Sequence, residues 1–190
     1  MVNRCKWADY NDLMREYHDK EWGTPQHDDR ILYELLILEG MQAGLSWNTV
    51  LQKRENFREA FDNFDYTKII KYSEKKIEEL MQNEGIIRNR LKIQSIITNA
   101  ISFIKIQEEF GSFNNYIWGF VNNKVVHTSW KKLEVLPPNT NLSDKISKDM
   151  KKRGFKFIGT TIIYAFLQAI GVVNDHTTDC FRYSELINSD

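Results

Sequence analysis

The chain has 190 residues, 42% of them hydrophobic, which is enough for one domain or two small lobes around a packed core. No apolar run approaches the length of a membrane-spanning helix, and the N-terminus lacks the apolar core of a secretory signal. We therefore expect a cytoplasmic protein, a monomer with no membrane partner.

Acidic and basic side chains balance over the whole chain, with 26 of each, but their distribution is uneven. Residues 1–47 carry nine acidic against five basic side chains, whereas residues 85–107 carry four basic and none acidic, and residues 145–156 six basic against one acidic. Two positive patches can steer a polyanion to one face. Solvated helix surfaces give the same pattern, and spacing alone does not separate the two interpretations.

Helical spacing extends over almost the whole chain, which has prolines only at 25, 137 and 138. It predicts helices over residues 9–19, 28–39, 46–62, 74–83, 88–109, 112–121, 143–153 and 159–171. Only residues 124–127 look extended, and residues 136–141 are the clearest linker. The predicted fold is all-α.

A break between two helices, from Leu38 to the helix-capping Ser46, carries an unusual set of side chains. It holds Glu39, Gln42 and two glycines, and Trp47 stands at its far edge. A carboxylate beside an aromatic plane on a glycine-bearing corner can bind a flat, cationic or amine-bearing ligand. The alternative is an ordinary helix connection with a surface glutamate.

Both cysteines of the chain have a histidine at ligand-like spacing. Cys5 precedes His18 by thirteen positions, and His176 and Cys180, four apart, would share one helical face. Together they form a Cys2His2 set suited to structural zinc, because a closed tetrahedral site leaves no position for water. Two buried free thiols with unrelated histidines remain the alternative. The other two histidines are expected to face solvent or cap helices: His27 and His127.

A glycine turn at residues 85–87 separates two predicted helices and resembles a helix-hairpin-helix, in which backbone N–H groups face a phosphate. Arg88, Arg90 and Lys92 would add positive charge for duplex binding. A single glycine between helices is common, so the motif is weak alone. Five apolar side chains of the second helix are predicted to point inward: Leu91, Ile96, Ile97, Ile101 and Ile104.

Residues 151–161 join a basic helix end to a glycine turn and a threonine cap, before an apolar helix that carries Gln168. This segment is interpreted as a second phosphate-facing edge. The alternative is a helix C-terminus with cations that favour its dipole.

Aromatic side chains gather near the N-terminus at Trp7, Tyr17 and Trp22. Such rings usually belong to a core. If the metal set holds them against Glu39 and Trp47, they form an aromatic-walled, acid-floored pocket that favours a cationic base by stacking and cation–π attraction.

Taken together, the chain resembles the type I 3-methyladenine DNA glycosylases of the helix-hairpin-helix superfamily. The matching blocks keep their order over nearly the full length: residues 4–7, 17–23, 38–47, 53–56, 85–88, 152–161 and 173–176. The resemblance implies a single glycosylase domain, residues 1–190, with Zn²⁺ held by the Cys2His2 set. Its central helical lobe would span about residues 30–110, and its second lobe residues 1–29 and 111–190.

The resemblance also implies roles for individual residues. Glu39 and Tyr17 would hydrogen-bond the adenine edge, and Trp47, with Trp7 and Trp22 nearby, would stack on or enclose it. Met14 stands where the family's first motif often has a tyrosine. The expected DNA-contacting residues are Gln42, Gly44 and Leu45 at the gap left in the duplex, and Gly85, Arg88, Lys156, Thr160 and Thr161 at phosphates.

The activity implied is release of free 3-methyladenine from alkylated double-stranded DNA, without strand cleavage. Many hairpin-bearing base-excision enzymes place an aspartate beyond the hairpin, but this chain has no acidic residue between Glu84 and Glu108. The leaving base must therefore already be activated, and Glu39 would select and hold it. A non-catalytic module that binds alkylated DNA or purines is the alternative.

Overall fold

The computed structural model describes residues 2–189, which fold almost entirely into helices, and the all-α prediction is confirmed. Eleven α-helices occur in these residues: α1 Asp12–Lys20, α2 Asp29–Gln42, α3 Trp47–Gln52, α4 Arg54–Ala60, α5 Tyr66–Ile69, α6 Glu74–Gln82, α7 Arg90–Phe110, α8 Phe113–Gly119, α9 Asn141–Lys152, α10 Thr160–Ala169 and α11 Phe181–Ile187. Short 3-10 helices cover Lys6–Tyr10, Asp62–Phe64 and Leu133–Val135. None of these helices is both long and apolar enough to cross a membrane.

Several helix boundaries differ from the sequence prediction. Helix α2 ends at Gln42, three residues beyond the predicted end at residue 39, so the break before α3 is present but covers only residues 43–46. Burial on nearly all sides keeps this stretch helical although it contains Gly40, because packing outweighs the low helix propensity of glycine. The predicted helix 46–62 is divided at Lys53, which leaves the helical conformation. Helices α5 and α11 were not predicted.

The extended segment predicted at residues 124–127 is a two-residue strand, β1 (Val126–His127). It pairs in parallel with β2 (Val173–Asn174), which the sequence did not predict. This pairing places the C-terminal segment beside the loop after α8.

Helix α2 lies at the centre of the core, where it contacts α3, α7, α8 and α10. Ten of its fourteen residues are buried, which explains its near-continuous apolar sequence. Of the side chains predicted to point inward from α7, Ile96 is buried, but Leu91 and Ile101 are exposed, so the prediction is wrong for those two.

The two ends of the chain meet. The Asn3 side chain donates to the Asp179 carbonyl at 2.8 Å, and the Phe181 N–H donates to the Asn3 carbonyl at 3.0 Å. A second, smaller apolar cluster joins residues from both ends: Cys5, Met14, Tyr17, Trp22, Leu51, Ala169 and Cys180. The two termini therefore lie together, and the division into two lobes stays a prediction.

Candidate active site

A cavity of about 440 Å³ opens between helix α2 and the smaller apolar cluster that joins the two chain ends. It brings together side chains from six separate segments: Trp7, Met14, Tyr17, Trp22, Glu39, Gln42, Trp47, Leu136, Ala165 and Gln168. All five side chains that the sequence assigned to base binding are among them. We call this cavity the base pocket.

Three polar atoms of the base pocket are buried without a hydrogen-bond partner in residues 2–189. They are the Glu39 Oε2, the Tyr17 hydroxyl and the Trp47 Nε1. A buried polar group left unpaired costs about 1–3 kcal/mol, so most proteins avoid it. Three such atoms around one cavity indicate a ligand that supplies the missing partners.

Burial sets the electrostatics of the pocket floor. It raises the pKa of Glu39 to about 8, because the ionised carboxylate loses its hydration. Burial, with the Glu39 charge, also raises the pKa of Tyr17 well above its usual value. The Glu39 carboxyl is therefore largely neutral in the empty pocket, and a cationic ligand would favour its ionised form.

Aromatic rings form the walls. The centroids of Tyr17 and Trp47 lie 5.4 Å apart, and Trp7 meets Trp22 edge-to-face at 5.1 Å. Ser46 accepts from the Thr49 N–H and caps α3, as predicted, which fixes Trp47 at the first helical position. Because Tyr17 and Trp47 come from helices whose first turns are capped by Asn11 and Ser46, this wall is preorganised for a flat ligand.

The sequence did not assign three of the lining side chains to the pocket. Ala165 and Gln168 belong to α10, and Leu136 comes from the segment predicted as a linker. The Gln168 amide donates to Asp175 Oδ2 at 2.7 Å, so its orientation is fixed. Helical periodicity places Gln168 on an apolar helix, but only the packing of α10 against α2 brings it to the cavity.

The four predicted metal ligands form one buried cluster. All their ligand atoms lie within 4.8 Å of one another. Cys180 Sγ is 3.5 Å from both His18 Nε2 and His176 Nδ1, and Cys5 Sγ is 3.6 Å from His176 Nδ1. A tetrahedron with bonds of about 2.0–2.3 Å has edges of about 3.3–3.8 Å, so the donor set fits a metal ion such as zinc. The cluster can therefore bind a metal.

One detail of the predicted cluster is wrong. His176 and Cys180 do not share a helical face, since residues 175–177 have no regular structure and residues 178–180 form a turn before α11. The turn brings both ligand atoms to the same point, helped by the Cys180 N–H, which donates to the Thr177 carbonyl at 2.8 Å. Hydrogen bonds from Cys5, and then from the two histidines, lower the pKa of Cys180.

Outer partners orient both histidines. His18 Nδ1 lies 2.7 Å from Asp19 Oδ1, and Arg4 binds the same carboxylate. His176 Nε2 lies 3.0 Å from the Trp22 carbonyl, which leaves Nδ1 for the metal. Gly23 makes this approach possible, because a Cβ there would lie 2.9 Å from His176 Nε2.

The model of the methyladenine glycosylase family matches residues 7–183. The chain belongs to this family.

Individual glycosylases match over nearly their whole length. The DNA-3-methyladenine glycosylase 1 of Escherichia coli is 47% identical over 182 residues, which cover 96% of this chain and 97% of the relative. A crystal structure of a 3-methyladenine DNA glycosylase I is 49% identical with a TM-score of 0.91, covering 94% of this chain and 98% of the other. The Staphylococcus aureus enzyme, solved to explain 3-methyladenine recognition, is 34% identical with a TM-score of 0.91, and the match covers 95% of this chain and 96% of that one.

The predicted hairpin of this glycosylase lies between α6 and α7, but its positive charge is smaller than the sequence indicates. Lys92 is buried, and its Nζ donates to the carbonyls of Met41 and Ala43 at 2.8 Å. Arg90 is paired with glutamates of α6. Arg88 remains exposed, 3.7 Å from the Glu84 carboxylate. The expectation that all three face DNA is therefore wrong for Lys92, which instead fixes the end of α2.

Gly85 is held tightly within the hairpin. Its N–H donates to Asn83 Oδ1 at 2.8 Å, and its carbonyl accepts from Lys53 and Asn56. A Cβ at this position would lie about 3.0 Å from Asn83 Oδ1 and 3.1 Å from the Asn56 amide. A side chain at this position would therefore require the Asn83 and Asn56 side chains to shift by a few tenths of an ångström.

A second cavity of about 260 Å³ lies beside the base pocket. Four of the remaining DNA-contacting candidates line it: Gln42, Gly44, Leu45 and Thr161. Leu45 is 42% exposed, and Gly44 has φ of +83°, which favours glycine.

Lys156 and Thr160 lie on the segment that leads to this second cavity. Lys156 is exposed, and Asn99 binds both of its backbone polar groups. Thr160 does not cap α10 as predicted: Gly159 is the cap residue, and the Thr160 hydroxyl binds Asp144 and Ser143.

Proposed function

We propose that this chain is a monofunctional DNA glycosylase that flips 3-methyladenine out of a duplex and hydrolyses its bond to deoxyribose. The observation that carries the proposal is the aromatic-walled cavity with three unpaired polar atoms, from Glu39, Tyr17 and Trp47. Relatives named DNA-3-methyladenine glycosylase support it.

Base selection follows from the charge of the ligand. Methylation at N3 makes the nucleobase cationic while it is attached to the sugar. Such a base stacks on Trp47, hydrogen-bonds Tyr17 with its edge and gives the buried Glu39 carboxylate a counter-charge. A normal adenine would leave that carboxylate either unpaired or protonated, so binding favours the damaged base.

The protein then has to contribute little to cleavage of the glycosidic bond, because the base is already activated. The bond from C1′ to N9 breaks, its electrons neutralise the cationic base, and water adds to C1′ with loss of a proton. Glu39 touches the departing base and is its catalytic residue by holding and stabilising it. The base must first leave the stack, which costs a few kcal/mol and least for a weakly paired, damaged base.

We assign DNA contacts to two groups of residues. Gln42, Gly44 and Leu45 would fill the gap left by the flipped base. Phosphates would be contacted by the remaining candidates: Gly85, Arg88, Lys156, Thr160 and Thr161. Helix N-termini and exposed cations are suited to that role, although the Thr160 side chain is already engaged within the protein.

For the metal we propose structural Zn²⁺, held by Cys5, His18, His176 and Cys180. Two thiolates and two imidazoles complete a tetrahedral zinc shell, so the ion would hold the two termini together. We further propose that the protein is cytoplasmic and that its single domain has the two lobes described above. We also propose that it is a monomer, since a duplex needs access to only one face.

The decisive experiment is a product assay on duplex DNA treated with a methylating agent. We expect free 3-methyladenine in the supernatant, and strand breaks only after later alkali or heat. Breaks formed by the protein alone would exclude monofunctional action. Binding of the damaged duplex without base release would instead identify a non-catalytic module.

A further inference from the structure

A further chamber adjoins the base pocket, and Glu39 is not among the residues that line it. Its volume is about 530 Å³, and we call it the side chamber. It is lined by Lys6, Trp7, Asp9, Tyr10, Met14, Ser46, Trp47 and Asn48. Three of these, Trp7, Met14 and Trp47, also line the base pocket, so these three residues form a wall that the two cavities share.

Met14 is the adaptable part of this wall. The indoles of Trp7 and Trp47 are rigid rings, whereas methionine is unbranched and has three rotatable bonds. Met14 is itself buried on α1, between the two cavities. A change of its rotamer alters the opening between the cavities without any backbone movement.

The orientation of a bound base relates its N3 atom to this wall. The glycosidic N9 edge must face the duplex, which we place beside the segment 42–45. N3 lies next to N9 on the purine, so its substituent points along the wall near the same segment. The residues that follow this segment, Ser46, Trp47 and Asn48, border the side chamber.

We propose that the side chamber receives the substituent of N3-alkylated adenines larger than 3-methyladenine, and that Met14 sets the largest group accepted. This inference rests on the proposed function, because it places the base on Trp47 with its edge toward Glu39 and Tyr17. The rings of Trp7, Tyr10 and Trp47 offer an apolar surface for an alkyl or benzyl group. Tyr10 is 74% exposed, so part of that surface has no partner among residues 2–189.

The test compares binding of free 3-methyladenine and free 3-benzyladenine to the full chain by calorimetry. We expect the wild type to bind both, in competition with each other. Met14→Phe places a larger, more rigid side chain in the shared wall. It should shift the ratio of the two affinities against the benzyl compound by about tenfold or more. Met14→Ala should shift the ratio in the opposite direction.

Tyr10→Ala is the matched control for the chamber, because Tyr10 lines the side chamber and is absent from the lining of the base pocket. It should weaken binding of 3-benzyladenine and leave 3-methyladenine binding unchanged. Thermal melting of each variant shows whether it folds, and if Met14→Phe does not fold, Tyr10→Ala and Met14→Ala decide.

A wild type that binds 3-methyladenine but not 3-benzyladenine overturns the side-chamber proposal and leaves the proposed function intact. An affinity ratio unaffected by these substitutions does the same. A wild type that binds neither compound removes the proposed function together with this inference.

Discussion

The metal cluster and the base pocket are built from neighbouring residues but differ in how their polar atoms are satisfied. Tyr17 lines the pocket while His18, next along α1, enters the cluster. Every ligand atom of the cluster has a close polar neighbour, and both histidines have outer partners. In the pocket, by contrast, three buried polar atoms have no hydrogen-bond partner within residues 2–189.

This difference separates a structural site from a binding site. Unpaired buried groups reduce stability, so they persist where a ligand later supplies the partner. A closed, fully partnered cluster stabilises the fold and leaves no position for a substrate. The His176 hydrogen bond to the Trp22 carbonyl joins the two regions, so the cluster also positions one wall of the pocket.

The largest expected effect is the loss of a metal ligand. Cys180→Ser should remove the metal and lower stability by about 4 kcal/mol or more. For a chain of this size, that corresponds to a decrease in Tm of about 8–16 °C. Melting curves with metal analysis of the same samples measure it, and His27→Ala, an exposed histidine outside the cluster, is the control. A folded, metal-loaded but inactive variant would contradict the structural assignment.

The next effect is a pH dependence that arises from Glu39. Between pH 4.5 and about 8 the folded chain holds a proton that the unfolded chain has released, so raising the pH lowers the free energy of unfolding. Below this window both states are protonated, and above it both are ionised. Since each pKa unit corresponds to about 1.4 kcal/mol, the loss should reach a few kcal/mol.

Urea unfolding at a series of pH values tests this dependence. Glu39→Gln should remove the part of the slope that lies between pH 4.5 and 8, because glutamine does not titrate. Glu79→Gln, an exposed carboxylate on α6, should retain the wild-type slope. Equal slopes for wild type and Glu39→Gln would show that the Glu39 carboxyl is not desolvated.

A smaller effect concerns the ligand. Glu39→Ala should weaken binding of free 3-methyladenine by about 10–150-fold, the value of a charge-assisted hydrogen bond of about 1.5–3 kcal/mol. Isothermal calorimetry measures it, with Glu79→Gln again as the control. Unchanged affinity would remove Glu39 from the site.

The smallest expected effect distinguishes the two hairpin cations. Arg88→Ala should reduce the slope of log K for duplex binding against log salt by about one. Lys92→Met should leave that slope unchanged and instead lower the free energy of unfolding by about 1–3 kcal/mol, because the Met41 and Ala43 carbonyls lose their donor. Reversed results would mean that Lys92, not Arg88, meets phosphate.

Local sequence signals predicted many of the elements and most of the site. The Ser46 cap, the aromatic group near the N-terminus and the Cys2His2 set each depend on residue type and spacing, which the sequence displays directly. The continuation of α2 beyond residue 39 was missed because a glycine and two polar residues interrupt the apolar pattern. Burial by neighbouring helices, which no local window contains, keeps that turn helical.

The positive charges at the hairpin show the same limit of prediction from local sequence. Arg88, Arg90 and Lys92 are equal in the sequence, yet one is exposed, one is ion-paired and one is buried. Which of them can meet a phosphate depends on the packing of α6 and α2 around the start of α7.

The sequence by itself determined the helical class, the Cys2His2 set and the aromatic residues around Glu39, because these depend on side-chain chemistry and helical period. Only the tertiary structure decided that Gln168 and Leu136 complete the pocket, that Lys92 supports the backbone, and that Met14 divides two cavities. These features depend on contacts between segments distant in the chain, and such contacts form only when the helices pack.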